Sequence, residues 1–351
     1  MKPVRLAPNL VDHFYAGGAK IAALRGIETT SPRQPEEWVA ATVPRVGEAP
    51  RGLASTVDGD LLRDLVAADP DAWVGPDAAG ARVSEADTGI LVKLLDAGQR
   101  LPVHVHPDRG FAASHLDCPY GKTEAWFVLD ATDDGAVYLG WEDDVDPDEL
   151  VARREAQDGA WMIERMHRIE VRPGDGILVP AGTVHAIGQG VFVTEVQEPT
   201  DFSILLEWSV TTSGREDSHL GLGFDAVMPT VTHTALAADD LAALSVHTDL
   251  TARYAHLAST LPAVADPFFR LDVAAPVADA PAAVAAGFAA VVVLDGEGTL
   301  EASGWSDVVA RGDVLAVPAA LGDWTLAGDV RALVARPGVD WPASLGRGSD
   351  A

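Results

Sequence analysis

The stretch Leu91-Val92-Lys93-Leu94-Leu95-Asp96-Ala97-Gly98-Gln99-Arg100-Leu101-Pro102-Val103-His104-Val105-His106-Pro107-Asp108 decides how this chain is read. An apolar run breaks at Gly98 and resumes as His-Val-His. Residues two apart in a strand point to one face, so His104 and His106 present two imidazoles side by side. A second stretch, Gly174-x5-Pro180-x-Gly182-x2-His185, reads as turn, strand, turn, strand and can return a third imidazole to the same place. Glu124 opens another apolar strand, Glu124-Ala125-Trp126-Phe127-Val128-Leu129, and can add a carboxylate. Three imidazoles and one carboxylate form a borderline N/O donor set suited to one divalent ion: Zn, Mn, Fe, Co or Ni. Two partly buried strand histidines are the simpler alternative. It leaves the matching spacing of His185 without a reason.

The same segments resemble a known family. Leu91 to Asp108, Gly121-Lys122-Thr123-Glu124-Ala125-Trp126, and Val179-Pro180-Ala181-Gly182-Thr183-Val184-His185-Ala186-Ile187-Gly188 are similar to the paired motifs of cupin β-barrels, and within these to type I phosphomannose isomerase. The resemblance is dense from about Glu36 to Trp208 and faint beyond. It implies a mainly β fold: a cupin barrel of the jelly-roll type, a second smaller degenerate barrel, and a few short helices. It implies an aldose–ketose isomerase that moves a proton between C1 and C2 of an open-chain sugar through an enediolate. It also implies one divalent metal, zinc first, on His104, His106, Glu124 and His185, with Lys93 and Lys122 lining a substrate pocket.

Three departures stand out. His104 occupies a position where the family usually has a glutamine ligand. Pro102 stands where the family has a phosphate-binding serine. No arginine occurs from Pro199 to Gly214, where the family places one; that region reads Asp201-Phe202-Ser203-Ile204-Leu205-Leu206-Glu207-Trp208. A bidentate arginine is the natural clamp for phosphate. Arg100, Arg109, Arg168, Arg172 and Arg215 are the candidates to replace it. A cupin enzyme on an unphosphorylated sugar or sugar-like metabolite (isomerase, epimerase or lyase) therefore stays open. So does a sugar-binding regulatory cupin without turnover.

Four more residues are singled out by chemistry. Lys93 lies within Ile90–Leu95, where an unpaired ammonium would be costly, so it is expected to meet a carboxylate or a ligand. Lys122 precedes Glu124 by two and can face the same pocket. Glu195, inside Val191–Gln197, is expected to have a perturbed pKa, which makes it, with Lys122, a candidate acid/base. A salt bridge across the barrel is the equal alternative for Glu195. Asp201 follows on the same stretch as a substrate-binding candidate. His115 and His167 lack a partner pattern. His13, His219, His233, His247 and His256 read as surface or core residues.

The chain has 351 residues, with 25 Lys+Arg against 53 Asp+Glu and a net charge of −28. Nucleic acid and anionic membranes demand basic patches, so neither is an expected partner. A small sugar or sugar phosphate is. Cys118 is the single cysteine, so no intrachain disulfide forms. The N-terminus lacks an apolar signal core, and the longest apolar run, Gly287–Leu294, is far too short to span a bilayer. The expected location is the cytoplasm; the oligomeric state is open.

Three segments are expected: a metal-binding cupin unit over 1–210, a partly helical connecting region over 211–265, and a degenerate cupin-like unit over 266–351. The last rests on a repeat. Gly312-Asp313-Val314-Leu315-Ala316-Val317-Pro318-Ala319 copies Gly174-Asp175-Gly176-Ile177-Leu178-Val179-Pro180-Ala181 in spacing. The fifth residue after the proline is His185 in the first copy and Asp323 in the second. Without a His-x-His strand, the second unit is expected to hold no metal.

Overall fold

Three antiparallel sheets carry the structure. The computed structural model describes residues 1–76, 80–278 and 280–346. A seven-stranded sheet runs in the order Ser245–His247, Asp175–Val179, Glu124–Asp130, Phe192–Gln197, Leu91–Asp96, Glu36–Val39, Leu10–Val11. A five-stranded sheet runs Ile204–Leu205, His104–Val105, His185–Ile187, Ala136–Trp141, Met166–Glu170. The two face each other as a jelly roll. Leu95, Trp126, Val128 and Val193 of the first pack against Val137, Leu139 and Ile187 of the second.

Register explains how polar residues reach this interior. Trp38 lies opposite Lys93, Lys93 opposite Glu195, and Glu195 opposite Trp126. Directly opposed residues share a face, so these four form one row across three strand pairs. The alternate residues Val92, Leu94, Ala125, Phe127 and Val196 face the other way. They pack against Phe269, Leu271, Val273, Val292 and Leu333 of the third sheet. A sheet buried on both faces loses simple alternation, which is why Leu91–Asp96 and Phe192–Gln197 read as apolar runs with a charge embedded.

The third sheet has eight strands and is built on two 14-residue strands, Ala289–Ala302 and Trp324–Pro337. It folds on itself: Val291 and Val293 near one end pack in the same cluster as Leu300, Val309 and Leu326 near the other. The bend falls at a bulge between Val293 and Asp295. Gly296 follows at φ 75°, and a Cβ there would lie 1.9 Å from the Asp329 carbonyl oxygen. Two short strands cross the sequence segments. Val4–Arg5 pairs with Val314–Val317, and Ser245–His247 pairs with Asp175–Val179.

The repeat is visible in atomic detail. Gly174 and Gly312 both take positive φ, 97° and 90°. Asp175 accepts from the Arg172 amide at 2.9 Å, and Asp313 accepts from the Ala310 amide at 2.8 Å. Each aspartate closes the turn that launches a strand.

The short helices follow their punctuation. Leu62–Ala68 ends before Asp69-Pro70, and Pro147–Glu155 starts at Asp146, whose side chain accepts from the Glu149 amide at 2.9 Å. One local expectation changes. The Ala/Pro-rich stretch 274–286 reads as loop, yet it contains the strand Ala282–Val284, paired with Trp324–Leu326. Alanine has weak strand preference; burial of Ala282 and Val284 on alternate positions decides the outcome. Among the described residues, no helix is long and apolar enough to cross a membrane.

Candidate metal centre and adjoining pocket

The two histidine motifs meet by strand pairing. His104 lies directly opposite His185, with Leu205 opposite His104 on the other side. Gly182, at φ 84°, makes the turn before His185, and its amide donates to the His106 carbonyl at 2.8 Å. The three rings gather with centroids 4.1–5.0 Å apart.

Backbone carbonyls fix the tautomers. The Nδ1 atoms of His104, His106 and His185 lie 2.9, 2.7 and 2.8 Å from the carbonyl oxygens of Pro102, Phe202 and Thr183. A carbonyl only accepts, so each Nδ1 carries the proton and each Nε2 is left with its lone pair. The ligand atoms of the three histidines all lie within 4.8 Å of one another. His185 Nε2 is buried with no hydrogen-bond partner. Burial, first of all, keeps the rings neutral: it lowers His185 to about 3, and with the neighbouring Lys122 ammonium it lowers His106 to about 3. Burial and His185 lower His104 as well. Neutral imidazole is the ligand form.

Glu124 lies against two of the rings. Its oxygens lie 2.9 Å from His106 Nε2 and 3.4 Å from His185 Nε2, and Trp126 Nε1 donates to it at 3.1 Å. Burial pushes this carboxyl up, but the Lys122 ammonium outweighs that and holds it well below the usual range. A carboxylate facing an imidazole lone pair at 2.9 Å requires a cation against both. The Lys122 ammonium is one: it hydrogen-bonds Glu124 and sits 2.7 Å from His106 Nε2. Convergent lone pairs, an ionised carboxylate and an orphaned Nε2 fit a divalent ion.

His104 is the member of this group that opens on a cavity of about 490 Å³. Lys93, Lys122, Glu195 and Asp201, all singled out from sequence, line the same cavity. Lys93 Nζ lies 3.4 Å from Glu195 and 3.5 Å from Glu36, over the Trp38 ring. Burial works against its charge, and the two carboxylates overcome it, raising its pKa. Burial and the nearby Glu124 charge push Glu195 up to about 7. Burial also raises Asp201, 4.0 Å from Arg45.

Sequence reading passed over His13, Tyr15, Glu36 and Arg45, which also line the cavity. Glu36 accepts from Tyr15 at 2.6 Å and from Trp38 at 2.8 Å. Alternation along Glu36-Glu37-Trp38 was the available signal, since it puts Glu36 on the face of Trp38. His13, 3.5 Å from Glu36 with Nδ1 buried and unpartnered, has no sequence signal.

The arginines considered as phosphate clamps are elsewhere. Arg100 makes two bonds of 2.7 Å to Glu207, and Arg109 makes one of 2.6 Å to Glu198. Arg168 pairs with Glu170, Arg172 with Asp175, and Arg215 with Glu155. None lines the cavity, whereas Leu205 does.

No family model matches the chain. Among curated proteins, it is 33% identical over 203 residues to the Bacillus subtilis (strain 168) protein named "Probable mannose-6-phosphate isomerase GmuF", which is 57% of this chain and 59% of that relative. It is 40% identical over 112 residues to mannose-6-phosphate isomerase ManA of the same organism, 32% of this chain and 34% of the relative. The matched stretch thus spans about three-fifths of the first relative and one-third of the second. Among solved structures, the mannose 6-phosphate isomerase from Bacillus subtilis superposes with a TM-score of 0.71 at 21% identity, over 96% of this chain and 100% of that one. A mannose 6-phosphate isomerase bound with zinc and yttrium superposes at 0.71 and 14% identity, over 97% and 100%. The chain is similar in sequence to mannose-6-phosphate isomerases, and its fold is the cupin fold of the phosphomannose isomerases.

Proposed function

We propose that this chain is a metal-dependent aldose–ketose isomerase of the mannose-6-phosphate isomerase type. One observation carries the reading. Three imidazoles, each fixed by a carbonyl at Nδ1, converge with Glu124 behind a cavity that His104 lines together with Lys122 and Glu195. His104, His106, Glu124 and His185 would hold the ion, zinc by this reading, with Mn, Fe, Co and Ni also compatible. A divalent ion supplies Lewis-acid stabilisation of negative charge on the sugar oxygens.

The chain's own groups do the rest. Glu195, near 7 and buried, takes the proton from C2 of the open-chain sugar and returns it to C1. Lys93 keeps Glu195 in place and balances Glu36. Lys122 donates to a sugar oxygen from beside Glu124, and Asp201 accepts from a hydroxyl further out. The apolar wall limits water around these groups. Residues 1–210 carry this machinery. Residues 211–265 connect and add to the outer end of the cavity, and the described residues of 266–351 hold no ligands and support the outer face of the first sheet. We place the protein in the cytoplasm with a small sugar as its partner; the acidic surface disfavours nucleic acid and anionic membranes.

The test is an assay of metal-loaded protein over a panel of aldoses, each with and without a 6-phosphate. Interconversion that stops on chelation and returns with one metal per chain is expected. Absence of turnover on every sugar with every metal would overturn the reading.

A further inference from the structure

We propose that the pocket takes a sugar whose far end carries no phosphate, a free aldose or an amino sugar; this rests on the reading of the site as a sugar isomerase pocket. Charge along the cavity carries the inference. Among the described residues, its lining lysines and arginines are Arg45, Lys93 and Lys122. Each is already matched by carboxylate. Lys122 is bonded to Glu124, and Lys93 lies between Glu36 and Glu195. Arg45 reaches Glu48 at 3.2 Å and Asp201 at 4.0 Å.

Exposure orders the cavity from end to end. His104, Lys122 and Glu195 are buried at the inner end, where C1 and C2 must sit if the proposed chemistry occurs. Glu48 and Glu216 have side chains 40% and 83% exposed and mark the outer end, with Asp217 beside Glu216. The far carbon of an extended six-carbon chain points there. A phosphate monoester would bring nearly two negative charges to a rim that presents three carboxylates and the paired Arg45; Arg51 and Arg215 pair with Glu48 and Glu216 from outside the lining. A backbone donor next to the rim is taken as well. The Gly214 amide, at the start of the short helical turn Arg215–Asp217, is taken by the Asp217 carboxylate at 3.0 Å. Ser203 and Ser213 offer neutral hydroxyls, and Leu205 and Leu220 offer apolar surface, which suit a sugar hydroxyl or a carbon edge.

Zinc-loaded protein is titrated with mannitol and with mannitol 6-phosphate, neither of which can isomerise, by calorimetry at pH 8. The kcat/KM values for mannose and mannose 6-phosphate are measured in parallel. The free alditol is expected to bind at least about tenfold more tightly than its phosphate, and the free sugar to be preferred in turnover. Glu48→Gln combined with Glu216→Lys removes the Glu48 charge shared by Arg45 and Arg51 and adds a cation on solvent-facing positions, so the gap should shrink about tenfold. Tighter binding of mannitol 6-phosphate by the unmodified protein would overturn the proposal. So would binding of neither alditol, or a gap unmoved by the double substitution. The two readings separate cleanly. An alditol preference without turnover sinks the isomerase and spares this inference; turnover favouring mannose 6-phosphate does the reverse.

Discussion

Gly174-Asp175 and Gly312-Asp313 make the same aspartate-closed turn into the same kind of strand, and the interiors that follow differ completely. Inside the jelly roll, Lys93, Glu195, Glu124 and three histidines lie among Trp38, Trp126 and Leu95. Inside the C-terminal sheet the corresponding space holds Ala274, Val284, Val291, Val293, Leu300, Val309, Leu326 and Val334. Buried charges are expensive unless paired, and here they are paired: Lys93 with two carboxylates, Glu124 with Lys122. Under the proposed reading the polar interior carries the chemistry at an energetic cost. Among the described residues the apolar interior shows no comparable cluster, and its outer face supports the first sheet through Phe269, Leu271 and Leu333. The contrast teaches that turn and strand geometry can repeat while side-chain chemistry is assigned separately to each copy.

The contrast breaks most sharply at the ligands. His106→Ala and His185→Ala should each release the metal and lower turnover by at least about a thousandfold, about 4 kcal/mol in the transition state. The fold should survive, because the surrounding core is apolar. Metal content by elemental analysis and unfolding by circular dichroism check the two halves of this statement. Full metal retention in either variant would remove that residue from the site.

Glu195→Gln comes next. Loss of a general base typically costs about 10²–10⁴-fold in kcat, and metal content should be unchanged. Burial and the Glu124 charge raise the carboxyl to about 7. A base acts only when ionised, so activity should be low below about pH 6 and rise to a plateau above about pH 8. A bound cation nearby would move that limb to lower pH. Full activity in Glu195→Gln would leave Glu195 as a salt-bridge partner of Lys93 alone.

Phe269→Ala tests the other region. Phe269 is fully buried between the first and third sheets. Its truncation should cost about 3–5 kcal/mol of stability, measured by denaturant unfolding. The folded protein should still bind one metal. Loss of metal with little loss of stability would mean that the C-terminal sheet shapes the site directly.

Much of this was legible because strand periodicity is strict. His104 and His106 share a face by parity, and the Pro180-x-Gly182-x2-His185 spacing fixes where the turn releases the third imidazole. The alternation of Glu36 and Trp38 carried the same information about the cavity wall and was readable in principle. Other features follow from long-range packing alone. His13 enters the cavity because the N-terminal segment wraps the sheet edge, which no local pattern encodes. The pairing of Val4–Arg5 with Val314–Val317 joins residues more than three hundred apart in the chain. The strand Ala282–Val284 was hidden because alanine reads as neutral until its neighbours bury it. Arg100 and Arg109 lie in or beside the first motif in sequence, yet each is committed to a carboxylate away from the cavity.

The smallest effect sharpens the comparison at its pivot. Asp323 stands five residues after Pro318, as His185 stands five after Pro180. It is exposed, and its side chain accepts from the Ala286 amide at 2.8 Å, tying the start of Trp324–Pro337 to the turn after Ala282–Val284. That is a structural bond, made where the other copy presents an imidazole. Asp323→Ala should therefore cost about 1 kcal/mol or less, as one solvent-exposed charge-assisted hydrogen bond is lost, and metal should stay at one per chain. Asp323→His should not create a second site either. An imidazole at this exposed position lies beside Ala286 and before Trp324, which pairs with Val284 and Ala302, so no histidine strand faces it, and one ligand does not hold a divalent ion. Two metals per chain in the unmodified protein, falling to one in Asp323→Ala, would show that the second interior is a metal site after all.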